Sequence, residues 1–134
     1  MGRILAIDYG EKRIGIAITD ELKIIASPLD VLKNDDQLFD RLKKLYNYYK
    51  FEKILIGLPI FKNSKKAKMN VINFGEKLKV LFPVEIVYFN EAYSTVYAEN
   101  LLKSTGEKNK KIKSKIDKFA AQKILEDFLG NNPQ

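Results

Sequence analysis

The 134-residue chain contains no cysteine and no histidine. The first absence excludes disulfides, zinc–thiolate centres and thiol nucleophiles. The second removes the commonest general base and every Ser-His-Asp arrangement. Hydrolytic chemistry here has to rest on carboxylates, hydroxyls, lysines or a metal held by oxygen ligands. Long hydrophobic runs are also lacking. The apolar stretches are strand-sized, far short of the roughly 20 residues that span a bilayer. Met1-Gly2-Arg3 leads straight into Ile4-Leu5-Ala6-Ile7-Asp8, without the longer apolar region and small-residue cleavage site of a secretory signal. The expectation is a cytoplasmic protein with no membrane partner.

What is present is the composition of one folded domain, 1–134, with 46% hydrophobic and 31% charged residues. The formal net charge of +7 is unevenly placed. Lys62, Lys65, Lys66, Lys68, Lys77 and Lys79 stand against Glu76 alone. Lys103, Lys108, Lys110, Lys111, Lys113, Lys115 and Lys118 stand against Glu107 and Asp117. Each segment nets +5, which leaves −3 for the rest of the chain. Two basic segments on an acidic body fit a polyanionic partner, nucleic acid above all. A general lysine bias is the plainer alternative, since Lys far outnumbers Arg.

Hydrophobic periodicity gives the element order. Residues 3–8 predict a strand buried on both faces, followed by a turn at Tyr9-Gly10-Glu11-Lys12. Residues 13–19 form a second strand, with Gly15 inside it, and 23–27 a third that ends before Pro28. Leu38, Leu42, Leu45 and Tyr49 recur at helical spacing within 35–49. A fourth strand covers 53–57 and ends at Leu58-Pro59. A basic loop, 61–68, leads to a helix that reaches Leu81 and is stopped by Pro83. A fifth strand covers 84–89, with Asn90-Glu91 just past its end. Ser94 caps a helix to about Lys103, ended by Gly106. Residues 108–113 form a basic loop, and a last helix runs 114–129, closed by Gly130. The order β-β-β-α-β-α-β-α-α is an antiparallel meander followed by βαβ crossovers. It predicts an α/β fold with a mixed five-stranded sheet flanked by helices.

Three isolated acids stand out. Asp8 ends an otherwise apolar strand, where an ionised carboxylate is costly unless paired or metal-bound; capping the following turn is the alternative. Glu91 lies past a strand at the carboxyl edge, where open α/β sheets bind ligands. Taken alone, it reads as an exposed loop glutamate or a partner of the next helix's N-terminus. Asp117 shares a helix face with Ala120, Ala121, Ile124 and Phe128, so an acid in the first turn points toward the sheet. Its alternative is a helix-dipole partner. With no His or Cys in the chain, three such acids suit Mg²⁺ or Mn²⁺, which prefer oxygen ligands.

The run Asp8-Tyr9-Gly10-Glu11-Lys12-Arg13-Ile14-Gly15-Ile16-Ala17 resembles the N-terminal signature of the YqgF family. These are RuvC-like, ribonuclease-H-fold proteins known as Holliday junction resolvases or pre-16S ribosomal RNA nucleases. The resemblance continues through Gly57-Leu58-Pro59, Asn90-Glu91 and Ile116-Asp117-Lys118-Phe119-Ala120-Ala121. It implies a ribonuclease-H-like sheet of strand order 3-2-1-4-5, with Asp8, Glu91 and Asp117 as catalytic and metal residues. Gly10, Arg13 and Gly15 belong to the family's N-terminal motif. Contact with nucleic acid then falls to Arg13, Lys62, Lys65, Lys66, Lys108, Lys110, Lys111 and Lys113. Two departures are visible. The family usually has Asp-Glu-Arg where this chain has Asn90-Glu91-Ala92, and Asn-Met-Asp-Gly where it has Ile60-Phe61-Lys62-Asn63.

The function implied is a divalent-metal-dependent endonuclease acting on structured RNA, in processing the 5′ end of pre-16S ribosomal RNA. A DNA junction resolvase with the same carboxylates is the alternative. Its paired cuts would require a symmetric homodimer. A non-catalytic RNA-binding assembly protein with this fold is a third reading. A nucleotide-binding ATPase of the actin and sugar-kinase type also places an acid and a glycine early, but it needs two such domains.

Overall fold

The computed structural model describes residues 2–58, 65–90 and 110–131; the side chains of Asn90, 110–118 and Asn131 fall outside that description. Five strands, β1 (Ile4–Asp8), β2 (Arg13–Thr19), β3 (Ala26–Lys33), β4 (Lys53–Leu58) and β5 (Glu85–Asn90), form one sheet in the order β3-β2-β1-β4-β5. The first three are antiparallel neighbours, while β1, β4 and β5 run parallel. This is the mixed sheet expected from the element order, in the strand order that the resemblance implies. Helices α1 (Leu38–Tyr49), α2 (Lys65–Leu81) and α3 (Lys110–Asn131) cover it.

Strand alternation divides the core into two layers. Leu5, Ile7, Ile14, Ile16, Ile54 and Ile56 pack against Leu38 and Leu42 of α1 and Phe74 and Leu78 of α2. Ile4, Ala6, Ala17 and Leu55 face the other way, against Ala121, Ile124, Leu125 and Phe128 of α3. Each buried Ile or Leu contributes about 1.5–3 kcal/mol. The α3 side has a floor of small residues, so this helix lies close to β1, β2 and β3. Gln122 Nε2 donates to Ala26 O at 3.3 Å and ties it to the edge strand.

Four elements have boundaries other than those expected. The third strand occupies Ala26–Lys33 rather than 23–27, running through Pro28 instead of stopping before it. Proline lacks an N–H, but an edge strand need not donate outward. Here the ladder also slips between Ile16 and Ala17, whose partners are Asp30 and Pro28, so Leu29 is the extra residue of a bulge. Helix α1 starts at Leu38, not 35, because the Asp35 carboxylate accepts the Gln37 N–H at 3.0 Å and holds a turn there. Helix α2 starts at Lys65, inside the expected basic loop. Helix α3 begins at Lys110, so Lys110, Lys111 and Lys113 are helical rather than in a loop. Gly130 lies within its last turn instead of closing it. Lysine is a good helix former, and charge alone did not argue for a loop. The helix expected at 94–103 lies outside the described residues.

Several surface carboxylates are held below their ordinary pKa. Asp20 accepts the N–H groups of Ile25 and Ile24 at 2.9 and 2.8 Å, which lower it from 3.8. Arg41 and then the Gln37 N–H lower Asp35, and Lys23, 2.7 Å away, lowers Glu52 from 4.5. A carboxyl lowered on folding adds stability that is fully present above its unfolded pKa and lost as pH falls through the folded one. The melting temperature is therefore expected to be level from neutral to about pH 5 and to fall below about pH 4. Glu52→Gln and Asp20→Asn should flatten that fall in thermal melts across pH; an unchanged acid limb would show that these pairs do not set it.

Candidate active site

Because β1, β4 and β5 are parallel, their carboxyl ends meet at one edge of the sheet, at Asp8, Leu58 and Asn90. Crevices at such an edge are where open α/β folds bind ligands. Asp8 is half-buried and follows four residues that are at most 1% exposed. Alternation places it on the side of Ile4 and Ala6, the layer that carries α3. Across the ladder it pairs with Gly15 of β2, so its cross-strand neighbour has no side chain to crowd it. A carboxylate half-buried at such a strand end is held by hydrogen bonds, an ion pair or a metal.

The β1–β2 turn is tight. A Cβ on Gly10 would collide with the backbone carbonyl oxygen of Arg13, which is why glycine stands there. Asn34, just past β3, donates its side-chain amide to Gly10 O at 2.8 Å. Arg13 opens β2, half-buried and paired with Lys33 of β3. The structure thus brings Asp8, Gly10, Arg13 and Gly15 together at one end of the β1–β2 hairpin. Sequence reasoning missed Asn34, because ending the third strand at Pro28 left residue 34 far from this turn.

Lys65 and Lys66 are exposed and open α2, whose first turn carries no acid. Asp117 lies in α3, one turn before the buried Ala120 and Ala121; its side chain is outside the described set, as are those of Lys110, Lys111 and Lys113. Glu91 follows Asn90 directly in the chain and, like Lys62 and Lys108, lies outside the described residues. Among the described residues no three acids converge into a metal-binding group. Strands β1 and β5 flank β4, which sets their backbones about 10 Å apart.

At the opposite end of β1 a separate cleft is lined by Gly2, Arg3, Glu21, Tyr48, Tyr49 and Lys50. Its Arg3 guanidinium sits over the Tyr49 ring at 5.6 Å. Five residues of extended chain, about 16 Å, separate Arg3 from Asp8, so this cleft is not part of the Asp8 edge. Among the described residues no helix is long and apolar enough to cross a membrane.

Comparison with known proteins agrees with this layout. The model of a family described as "RuvX: Holliday junction resolvase" matches residues 2–131. A protein of Sulfurihydrogenibium sp. (strain YO3AOP1) is 38% identical over 133 residues, covering 96% of this chain and 90% of that protein. One from Bacillus cereus (strain B4264) is 38% identical over 133 residues, covering 95% and 97%. Both carry the name "Putative pre-16S rRNA nuclease". Among solved structures, T. thermophilus RuvC in complex with a Holliday junction substrate is similar with a TM-score of 0.58 at 15% identity, covering 98% of this chain and 96% of that one. The Fowlpox virus resolvase with Holliday junction DNA gives 0.57 at 14%, covering 98% and 99%. At these identities the likeness is one of fold, and it matches the β3-β2-β1-β4-β5 sheet of the ribonuclease-H-like class. On the match over residues 2–131 and the 38% identity along almost its whole length, the chain belongs to the RuvX family.

Proposed function

We propose that this protein is a divalent-metal-dependent nuclease that hydrolyses phosphodiester bonds in structured RNA, at the 5′ end of pre-16S ribosomal RNA. The observation that carries the reading is Asp8: a half-buried acid at the carboxyl edge of parallel strands, in a chain of the RuvX family. The names of the 38% identical relatives support RNA as substrate. Asp8, Glu91 and Asp117 are the groups that would hold Mg²⁺ or Mn²⁺, and an all-oxygen donor set fits those ions. When bound, such ions supply an activated water and stabilisation of the leaving oxygen.

The chain's other residues bind and orient the substrate. Arg13 stands at the turn beside Asp8. Lys65 and Lys66 place positive charge at the N-terminal end of α2, which costs the helix locally and becomes favourable when a phosphate is near. Lys62, Lys108, Lys110, Lys111 and Lys113 would add further phosphate contacts. Asn90 and Ala92 stand where the family usually has an acid and an arginine, which shifts more of the phosphate grip to these lysines.

A second reading, a resolvase of DNA junctions acting as a homodimer, is favoured by the family's description and by the fold shared with junction-bound proteins. Cleavage of a defined pre-16S RNA segment and of a four-way DNA junction, each with Mg²⁺ and Mn²⁺, separates the two. We expect metal-dependent RNA cleavage at a discrete position and slower cutting of the junction. Faster cutting of the junction would make the protein a resolvase; binding without cleavage of either would make it an assembly factor. Substituting both Lys65 and Lys66 by Ala should reduce the salt slope of RNA binding by about one to two.

A further inference from the structure

Asn34 directly follows β3, yet its partners lie on the β1–β2 turn. Its side-chain amide donates to Gly10 O at 2.8 Å, and its backbone N–H donates to Lys12 O at 3.0 Å. Two bonds thus grip the turn at residues 10 and 12, between Asp8 and Arg13. The grip is itself anchored to α1. Arg41 Nη1 donates to Lys33 O at 3.3 Å and pairs with the Asp35 carboxylate at 2.7 Å, so both neighbours of Asn34 are tied to that helix. The turn has little slack. A Cβ at Gly10 would meet the Arg13 carbonyl oxygen, and the ring of Tyr9 packs on Phe74 of α2 with centroids 4.9 Å apart.

We propose that Asn34 is a positioning residue: by fixing the turn at Gly10 and Lys12 it sets the placement of Asp8 relative to Arg13. The inference rests on the nuclease reading of Asp8. Glu11 and Lys12 at the tip are exposed, so without Asn34 the turn is steered mainly by its two strand ends. One neutral hydrogen bond contributes little to the folding of the whole chain. A catalytic carboxylate displaced by about 1 Å, however, loses about 100-fold in rate. Asn34 should therefore matter to turnover far more than to stability.

Two variants test this. Asn34→Asp keeps the shape but turns an acceptor toward the Gly10 carbonyl; Asn34→Ala leaves that carbonyl to water. Both keep the backbone bond to Lys12. We expect kcat on the RNA segment to fall about 10- to 100-fold, with KM within about two-fold. The melting temperature should stay within about 5 °C of wild type. Amide hydrogen exchange should quicken at residues 9–13 and not in β4 or α3. An unchanged kcat in both variants overturns the role, as does a loss of kcat accompanied by exchange quickened throughout the sheet, which would make Asn34 merely structural. A wild-type chain that cuts no substrate overturns the nuclease reading and this role with it. Wild-type cleavage with unaffected variants overturns the role alone.

Discussion

Asp8→Asn is expected to lower metal-dependent cleavage by about 10³-fold or more while leaving RNA binding and folding intact. Removing several kcal/mol of charge stabilisation from the transition state corresponds to a loss of that size. The substitution is isosteric, so packing around Ile4, Ala6 and Gly15 is preserved. A neutral amide no longer supplies a carboxylate oxygen to the proposed metal site. With shape and packing kept, the melting temperature should stay close to wild type. Asp36→Asn, an exposed acid in the turn before α1, changes the net charge identically and should leave the rate alone. If Asp8→Asn kept more than about a tenth of the rate, a loss under about 1.4 kcal/mol, Asp8 would be a turn cap and the site would have to lie elsewhere.

The strands that build this edge were legible because their signal is simple. The run Ile4–Asp8 and the Ile-rich Arg13–Thr19 are too apolar to be anything but buried, and an acid closing the first is conspicuous for the same reason. The strand order came from the resemblance and not from the periodicity, since alternation says which face a residue takes and nothing of which strand lies beside it. What misled was local punctuation. Pro28 reads as a strand end, but its effect depends on whether a neighbour needs its N–H, and that is decided by the bulge at Ile16 and Ala17 and by the edge position of β3. The cost of that misreading was functional: residues 28–33 bring Asn34 to the turn beside Asp8, a contact 24 positions apart in sequence that no local pattern announces. The lysines at 110–113 misled in the opposite sense, since charge suggested a loop where intrinsic propensity favours a helix.

Ala121→Leu should be the most damaging single change on the α3 side, and its pattern bears on Asp117. Ala121 is fully buried and meets a floor in which Ala6 and Ala17 are fully buried as well. There is no slack for three additional carbons between the helix and the sheet, so overpacking should cost about 2–3 kcal/mol. For a chain of this size that lowers the melting temperature by roughly 6–12 °C. Because the helix must lift, the proposed acid at Asp117, one turn earlier, moves with it. Cleavage at a temperature where the variant remains folded should then fall about 100-fold, as for a displacement of about 1 Å. Ile124→Val on the same face is the control: it should cost about 0.5–1.5 kcal/mol by opening a small cavity without lifting the helix, and its cleavage rate should stay close to wild type. An Ala121→Leu protein that melts early yet cleaves at the wild-type rate would remove Asp117 from the proposed site. Activity lost in Ala121→Leu and kept in Ile124→Val would instead tie turnover to the seat of α3 on β1 and β2, the helix that contains Asp117.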